Sequence, residues 1–255
     1  MSTPEAGWLL LTAAVHPDPV FLDHNGSFPT TVADPVVRAG QYREALAFWQ
    51  DAAHRLGARV VVVDTSGATR SEFGLTDRRD VVLVDHRPDP SLAVHGKGAF
   101  EASAIDAAIA ELELPDLSPL CKITGRLRVL HADRVISRPI GTGIVRVRRT
   151  IDRSFCDTRF LQTTAGTWRS VLGDMAHACD DGSGHWLERV VAERLVTAEY
   201  ADRVGVERFP ARIVVMGQSG TTGHTYGSRL EASLPEVVMR KVEGLAKRTF
   251  GHLTV

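Results

Sequence analysis

Lys122, Thr124 and Arg126 occupy alternate positions in the stretch Cys121-Lys122-Ile123-Thr124-Gly125-Arg126-Leu127-Arg128-Val129-Leu130-His131. In an extended strand that spacing gathers two cations and a hydroxyl on one face, while Cys121, Ile123, Leu127 and Val129 point the other way. Such a face suits the oxygens of a phosphate; the alternative is the solvated basic side of a half-exposed strand. Gly125 favours the phosphate, because glycine weakens a strand unless something must approach its backbone closely.

Three other stretches carry residues able to act with it. Gly96-Lys97-Gly98 precedes a predicted helix, so its amides and the helix N-terminus can hold a phosphate while Lys97 adds a point charge; a flexible turn is the alternative. It lacks both GxxxxGK[ST] and GxGxxG spacing, which removes support from P-loop kinases and NAD enzymes. Asp157, in Cys156-Asp157-Thr158-Arg159-Phe160, can ligand Mn2+ or Mg2+ or orient a sugar hydroxyl. A lone aspartate followed by Arg159 is a poor metal site, however, and an Asp157 paired with a neighbouring arginine is the alternative. Asp180-Asp181-Gly182-Ser183-Gly184-His185-Trp186-Leu187-Glu188 joins an acidic turn to a helix start, with Ser183 or Gly184 expected as the cap. Glu188 sits beside the inward stripe of Leu187, Val190, Val191 and Leu195, where desolvation suits it to take a proton from an attacking hydroxyl. A first-turn glutamate that merely complements the helix dipole is the alternative.

Other chemistries find less. Ser66-Gly67 and Ser219-Gly220 do not fit GxSxG, and the ten histidines form no HExxH or HxH pair, so nucleophilic hydrolases and zinc enzymes lose ground. Trp168 and Trp186 either stack on an acceptor sugar or belong to the core.

Placing these residues falls to a β-α-β-β-α-β order over the first ~130 residues, which reads as a Rossmann-like half with crossover helices on a mostly parallel sheet. Its predicted strands are 8–15, 59–64 and 81–85, followed by the basic strand. The first helix starts at Asp34-Pro35 and closes at Gly57; the second runs from about Phe100 to Leu112. Asp64-Thr65-Ser66-Gly67 falls at a strand's carboxyl end, the edge where open α/β sheets bind ligands. The second half reads as α+β, with strands at 134–137, 144–148, 159–163 and 213–216 and helices at 167–179, 185–201 and 234–247. The polar stretch Gly217-Gln218-Ser219-Gly220-Thr221-Thr222-Gly223 is a candidate lid or binding loop.

Composition bounds these readings. The 255 residues are 44% apolar, enough for a sizeable core, and no Pro/Ser-rich linker divides them, so one domain is expected over residues 1–255. Thirty Lys plus Arg against 31 Asp plus Glu leave a formal charge of -1, so no nucleic-acid partner is expected and any anion site must be local. Cys121, Cys156 and Cys179 lack CxxC spacing and argue for a reducing, cytoplasmic setting. No apolar run reaches the ~18 residues of a transmembrane segment.

In linear order, the N-terminal strand, Gln41-Tyr42-Arg43-Glu44-Ala45-Leu46, Asp64-Thr65-Ser66-Gly67, Gly96-Lys97-Gly98-Ala99-Phe100-Glu101-Ala102 and Lys122-Ile123-Thr124-Gly125-Arg126 resemble small bacterial glycosyltransferases of the GT-A type. In that family a KxTGR strand, a GKGxxEA helix start, a DxRF segment and a late helical glutamate recur, and the resemblance spans roughly residues 8–226. It implies a GT-A-like fold, with a nucleotide-binding half (1–130) and an acceptor-binding, catalytic half (131–255). It also implies a nucleotide-sugar donor, a hydroxyl acceptor and a place in polysaccharide biosynthesis. Thr12, Ala13 and Asp64 would lie near the nucleoside, and Gly96, Lys97, Lys122, Thr124, Gly125 and Arg126 near the diphosphate. Asp157 matches the metal-binding or sugar-orienting acid, and Glu188 the base of inverting members. Where the family usually shows DxD this chain has Arg159 in the third position, so either one aspartate suffices or lysine and arginine replace the metal. A nucleotidyltransferase acting on a sugar phosphate and a non-catalytic nucleotide- or sugar-binding protein are the competing readings.

Overall fold

The continuous apolar run Trp8–Ala13 forms β1, buried on both faces at the centre of the main sheet, as a strand flanked by parallel neighbours must be. The structure, a computed structural model, describes residues 7–22, 30–76, 80–136, 139–220 and 222–227. Asp34 caps helix α1 (Pro35–Leu56) through the amides of Val36 and Val37, and Gly57 ends it in the left-handed conformation. Strands β2 (Arg59–Asp64) and β3 (Val81–Asp85) follow, then helix α2 (Lys97–Glu111), which starts three residues before its expected position, and strand β4 (Pro119–Thr124).

Strand β4 stops where a longer strand was expected. The chain turns at Gly125 and Arg126, and Arg128–Val129 form a separate short strand, β5, in another sheet. Arg126 therefore does not share a strand face with Lys122 and Thr124. The reason lies at Gly125, whose amide donates to the Thr12 carbonyl at 2.9 Å. A Cβ added there would lie 2.6 Å from that carbonyl oxygen. The backbone that approaches Gly125 closely is the chain's own.

In the second half, the predicted strand at 134–137 is replaced by a short helix, α3 (Ala132–Ile136), whose buried residues Ala132 and Val135 are three apart, a helical spacing. Strands β6 (Ile144–Arg149) and β7 (Cys156–Thr164) come next. The predicted helix at 167–179 is interrupted: a single α-turn, α4 (Ala165–Thr167), runs into a π-helical turn, Trp168–Leu172. This ends where the Gly173 amide donates to Trp168 and Asp174 takes a positive φ of 55°. Helix α5 (Leu187–Tyr200) is capped by Trp186, not by Ser183 or Gly184, and is followed by β8 (Gly205–Glu207), β9 (Val215–Gln218) and β10 (Thr225–Tyr226). The helix expected at 234–247 lies outside the described residues.

The seven-stranded sheet has the order β3-β2-β1-β4-β7-β6-β8. The first four strands and the β6-β8 pair are parallel, and β7 runs antiparallel to both β4 and β6. This is the mixed α/β arrangement with a mostly parallel first half expected from the sequence. One face packs on α1 through Leu9, Leu11, Trp49, Val62, Ile123 and Phe160. The other packs on α2 and α5 through Leu10, Val63, Ile105, Leu120, Val190 and Leu195. Strands β10, β9 and β5 form a small second sheet. No helix among the described residues is long and apolar enough to cross a membrane.

Candidate active site

The register pairs Leu10 of β1 with Lys122 of β4, so the Lys122 side chain enters the face covered by α2. It is 1% exposed and all its hydrogens are used. Nζ lies 2.7 Å from Glu101 Oε1, donates to the Thr158 carbonyl at 2.5 Å and reaches Thr124 Oγ1 at 3.5 Å. Thr12 completes the pairing, its hydroxyl donating to the same Glu101 oxygen at 2.7 Å. Burial pushes the Glu101 carboxyl up, but the Lys122 charge, the Lys122 and Thr12 hydrogen bonds and the charge of Arg126 outweigh it and hold the group below the ordinary glutamate range.

Glu188 enters this cluster from the first turn of α5, one of its oxygens accepting the Thr158 hydroxyl at 3.0 Å. It is half-buried while Leu187, Val190, Val191 and Leu195 are buried. Burial raises its proton affinity, and the Glu101 charge adds to the rise against the opposing effects of Thr158 and Lys122. A carboxylate made reluctant to ionise, yet still open to solvent, has the character of a general base. Two cavities, of about 260 and 330 Å³, lie elsewhere, beside Val190 and Arg194 on one side and beside His16 and Glu72 on the other. Hydrogen-bond chemistry marks the cluster.

The Gly96-Lys97-Gly98 turn is anchored from an unexpected side. Asp181 Oδ2 accepts the Lys97 amide at 2.8 Å, and its carboxylate also takes the Gly98 amide. Gly96 has φ +95°, and a Cβ there would sit 2.2 Å from Asp181 Cγ. The helix N-terminus expected to meet a phosphate thus meets a protein carboxylate instead. Burial raises the Asp181 carboxyl, and burial lowers the half-buried Lys97 ammonium against the Asp181 charge.

Arg126 lies in the turn just past the end of β4. It is 9% exposed, Nη1 donates to Gln41 Oε1 at 3.0 Å, the guanidinium stands 5.8 Å from the Tyr42 ring centre, and Nε finds no hydrogen-bond partner among the described residues. Gly220 of the expected loop packs against it so closely that a Cβ would meet Nη2 at 1.9 Å. Gln41 Nε2 also donates to Gln218 Oε1 at 2.9 Å, tying that loop to α1.

Asp64 and Ala13 are spoken for by the fold. The Asp64 carboxylate accepts the amides of Ser66 and Ala68 at 2.9 and 2.8 Å and the Ser66 hydroxyl at 3.0 Å. Ala13 O accepts the Thr65 amide at 2.9 Å. Both hold the carboxyl edge of β1 and β2 in shape, with little left for a nucleoside. Asp157 is held by Arg159 in a bidentate pair, Nε to Oδ1 at 2.7 Å and Nη2 to Oδ2 at 2.6 Å, and Arg159 lies 4.6 Å over the Tyr226 ring. This is the paired aspartate weighed above as the alternative. Both oxygens of Asp157 are engaged by the guanidinium in this arrangement, and among the described residues no group of three His, Cys, Asp or Glu is placed to hold a metal. Trp168 is core, its indole N–H donating to Asp106 at 2.7 Å.

Thr12, Lys122, Thr124 and Glu188 thus share one polar cluster, Lys97 adjoins it through α2, Arg126 reaches it through its charge on Glu101, and Asp157 is paired with Arg159. Glu101, Thr158 and Asp181 were not singled out from the sequence. Glu101 had a signal: it lies one helical turn beyond Lys97 on the same face.

No protein-family model matches this chain, and no curated protein matches it. Among solved structures it is similar to the galactosyltransferase LgtC in complex with donor and acceptor sugar analogs, with 9% identity, TM-score 0.48, 74% of this chain and 70% of that one covered. It is also similar to 4-diphosphocytidyl-2C-methyl-D-erythritol synthase, with 12% identity, TM-score 0.44, 93% of this chain and 100% of that one covered.

Proposed function

We propose that this protein is a glycosyltransferase that moves a sugar from a nucleotide-sugar donor to a hydroxyl acceptor, with Glu188 as the base. The observation that carries the reading is Glu188 itself: a half-buried carboxylate of raised proton affinity, oriented by the Thr158 hydroxyl beside the pair of the half-buried Glu101 and the buried Lys122. The resemblance to GT-A-type enzymes supports it, since their late glutamate matches this position. Glu188 takes the acceptor hydroxyl's proton as the acceptor oxygen bonds to the sugar's anomeric carbon. The bond from that carbon to the phosphate oxygen breaks, and the nucleoside diphosphate leaves with the electron pair. Charge on the leaving group is met by Arg126, whose Nε has no other partner among the described residues, and by Lys97; Lys122 acts on Glu101 instead of on phosphate.

The test is transfer by the purified full chain, with a panel of nucleotide sugars and sugar acceptors and free nucleoside diphosphate as the readout. Glu188→Gln is expected to keep nucleotide affinity and to lower transfer ~10²-fold or more. Release of pyrophosphate from a nucleoside triphosphate and a sugar phosphate would instead identify a nucleotidyltransferase.

A further inference from the structure

Asp181 does more than finish a turn. Its carboxylate accepts the Lys97 amide at 2.8 Å and that of Gly98, and Gly96 leaves room for it at a place where any Cβ would stand 2.2 Å from Cγ. One residue further into α2, a Cβ on Gly98 would lie 3.1 Å from both the Leu187 amide nitrogen and its Cβ. The start of α2 is therefore packed at two adjacent points, both of them on glycines: against Asp181 at Gly96, and against Leu187 of the first turn of α5 at Gly98. Glu101 lies one turn along α2 from Lys97, and Glu188 directly follows Leu187 on α5. The contact brings two carboxylates of like charge toward one cation, Lys122, an approach their repulsion opposes.

We propose that Asp181 is a positioning residue for Glu188, clasping the first turn of α2 so that the Glu188 carboxylate is held against the Glu101–Lys122 pair. This rests on the reading of Glu188 as the base, but its geometry can be tested without any transfer reaction. The charged and polar groups that face Glu188 are Glu101 from α2, Lys122 from β4, Thr158 from β7 and the Cys179 thiol; those that face Asp181 are Lys97, the Gly98 amide, Asp180 and the same Cys179 thiol. Asparagine in place of Asp181 retains an oxygen for the Lys97 amide, whereas alanine retains none.

The experiment is a 13C-carboxyl NMR titration of the full chain, with Glu188 assigned through Glu188→Gln. In wild type and Asp181→Asn the Glu188 midpoint is expected above the ordinary value of 4.5; in Asp181→Ala it falls back toward 4.5. Gly98→Ala, which forces α2 and Leu187 apart, provides a second route to the same fall should Asp181→Ala fail to fold. A midpoint unchanged in folded Asp181→Ala, or in Gly98→Ala when that is the folded variant, overturns the positioning role. If the midpoint falls as expected while Glu188→Gln leaves transfer intact, the clasp stands and the base assignment fails.

Discussion

The Lys122 ammonium and the Glu101 carboxylate lie 2.7 Å apart, with the Lys122 side chain 2% exposed and that of Glu101 27% exposed. A lysine so enclosed cannot leave its partner to meet a substrate phosphate without a large desolvation cost. Its charge acts through Glu101 and Thr158, and through them on the neighbourhood of Glu188.

Removing one partner should therefore cost more than removing both. Lys122→Met is expected to destabilise the fold by about 3 kcal/mol, near the low end for a broken buried pair because Glu101 keeps some solvent. Lys122→Met combined with Glu101→Gln should recover much of that loss. Urea denaturation of the two variants checks this, and equal losses would mean that the pair is not coupled.

Glu188 ionises less readily in the folded chain than in the unfolded one, because burial and the Glu101 charge oppose its negative form. Its folded value lies above the unfolded one, so stability that is fully present below the unfolded value is lost as pH rises through the folded value. Glu188→Gln should accordingly raise the Tm at about pH 7 and change it little at about pH 4, where the wild-type carboxyl is mostly protonated. Thermal melts at the two pH values decide the matter; the same shift at both would show that ionisation is not the cause.

Arg126 has a buried Nε without a partner among the described residues, and a ligand oxygen would supply one. Arg126→Gln is expected to weaken nucleoside diphosphate binding ~10-fold to 100-fold, the value of a hydrogen bond to a charged group. Isothermal titration with UDP, GDP, CMP, dTDP and ATP provides the measurement. Unchanged affinity for a nucleotide that does bind would place the phosphate elsewhere.

Because Asp157 is bound at both oxygens by Arg159, transfer is expected to survive a chelator and to gain little from added Mn2+. Activity assays with and without EDTA test this. Loss of turnover with EDTA and recovery with Mn2+ would mean that the Asp157–Arg159 pair opens for a cation.

Gly125→Ala places a methyl group 2.6 Å from the Thr12 carbonyl oxygen, which is strand backbone and cannot move aside cheaply. The variant should lose ~1–3 kcal/mol of stability, as overpacked sites do, whether or not a nucleotide is present. A variant of normal stability with impaired nucleotide binding would restore the idea that Gly125 makes room for a ligand.

The sequence by itself determined the first half of the fold. Continuous apolar runs at Trp8, Val60 and Val81 can be buried only as central strands, and Asp34-Pro35 with Gly57 bounds a helix through local capping and backbone preferences. Glu188 was legible for the same reason, since its place beside an apolar helical stripe is fixed by a period of 3.6. What the sequence could not decide was where each polar group finds its partner, because such partners are distant along the chain. Lys122 meets Glu101 and Thr158, Asp181 meets Lys97 from 84 residues away, and Gly125 gives way to Thr12. The alternation that placed Lys122, Thr124 and Arg126 on one face was sound only while the strand continued. The tertiary approach of β1 turned the chain at Gly125, sending one cation into the core and the other beneath Gly220.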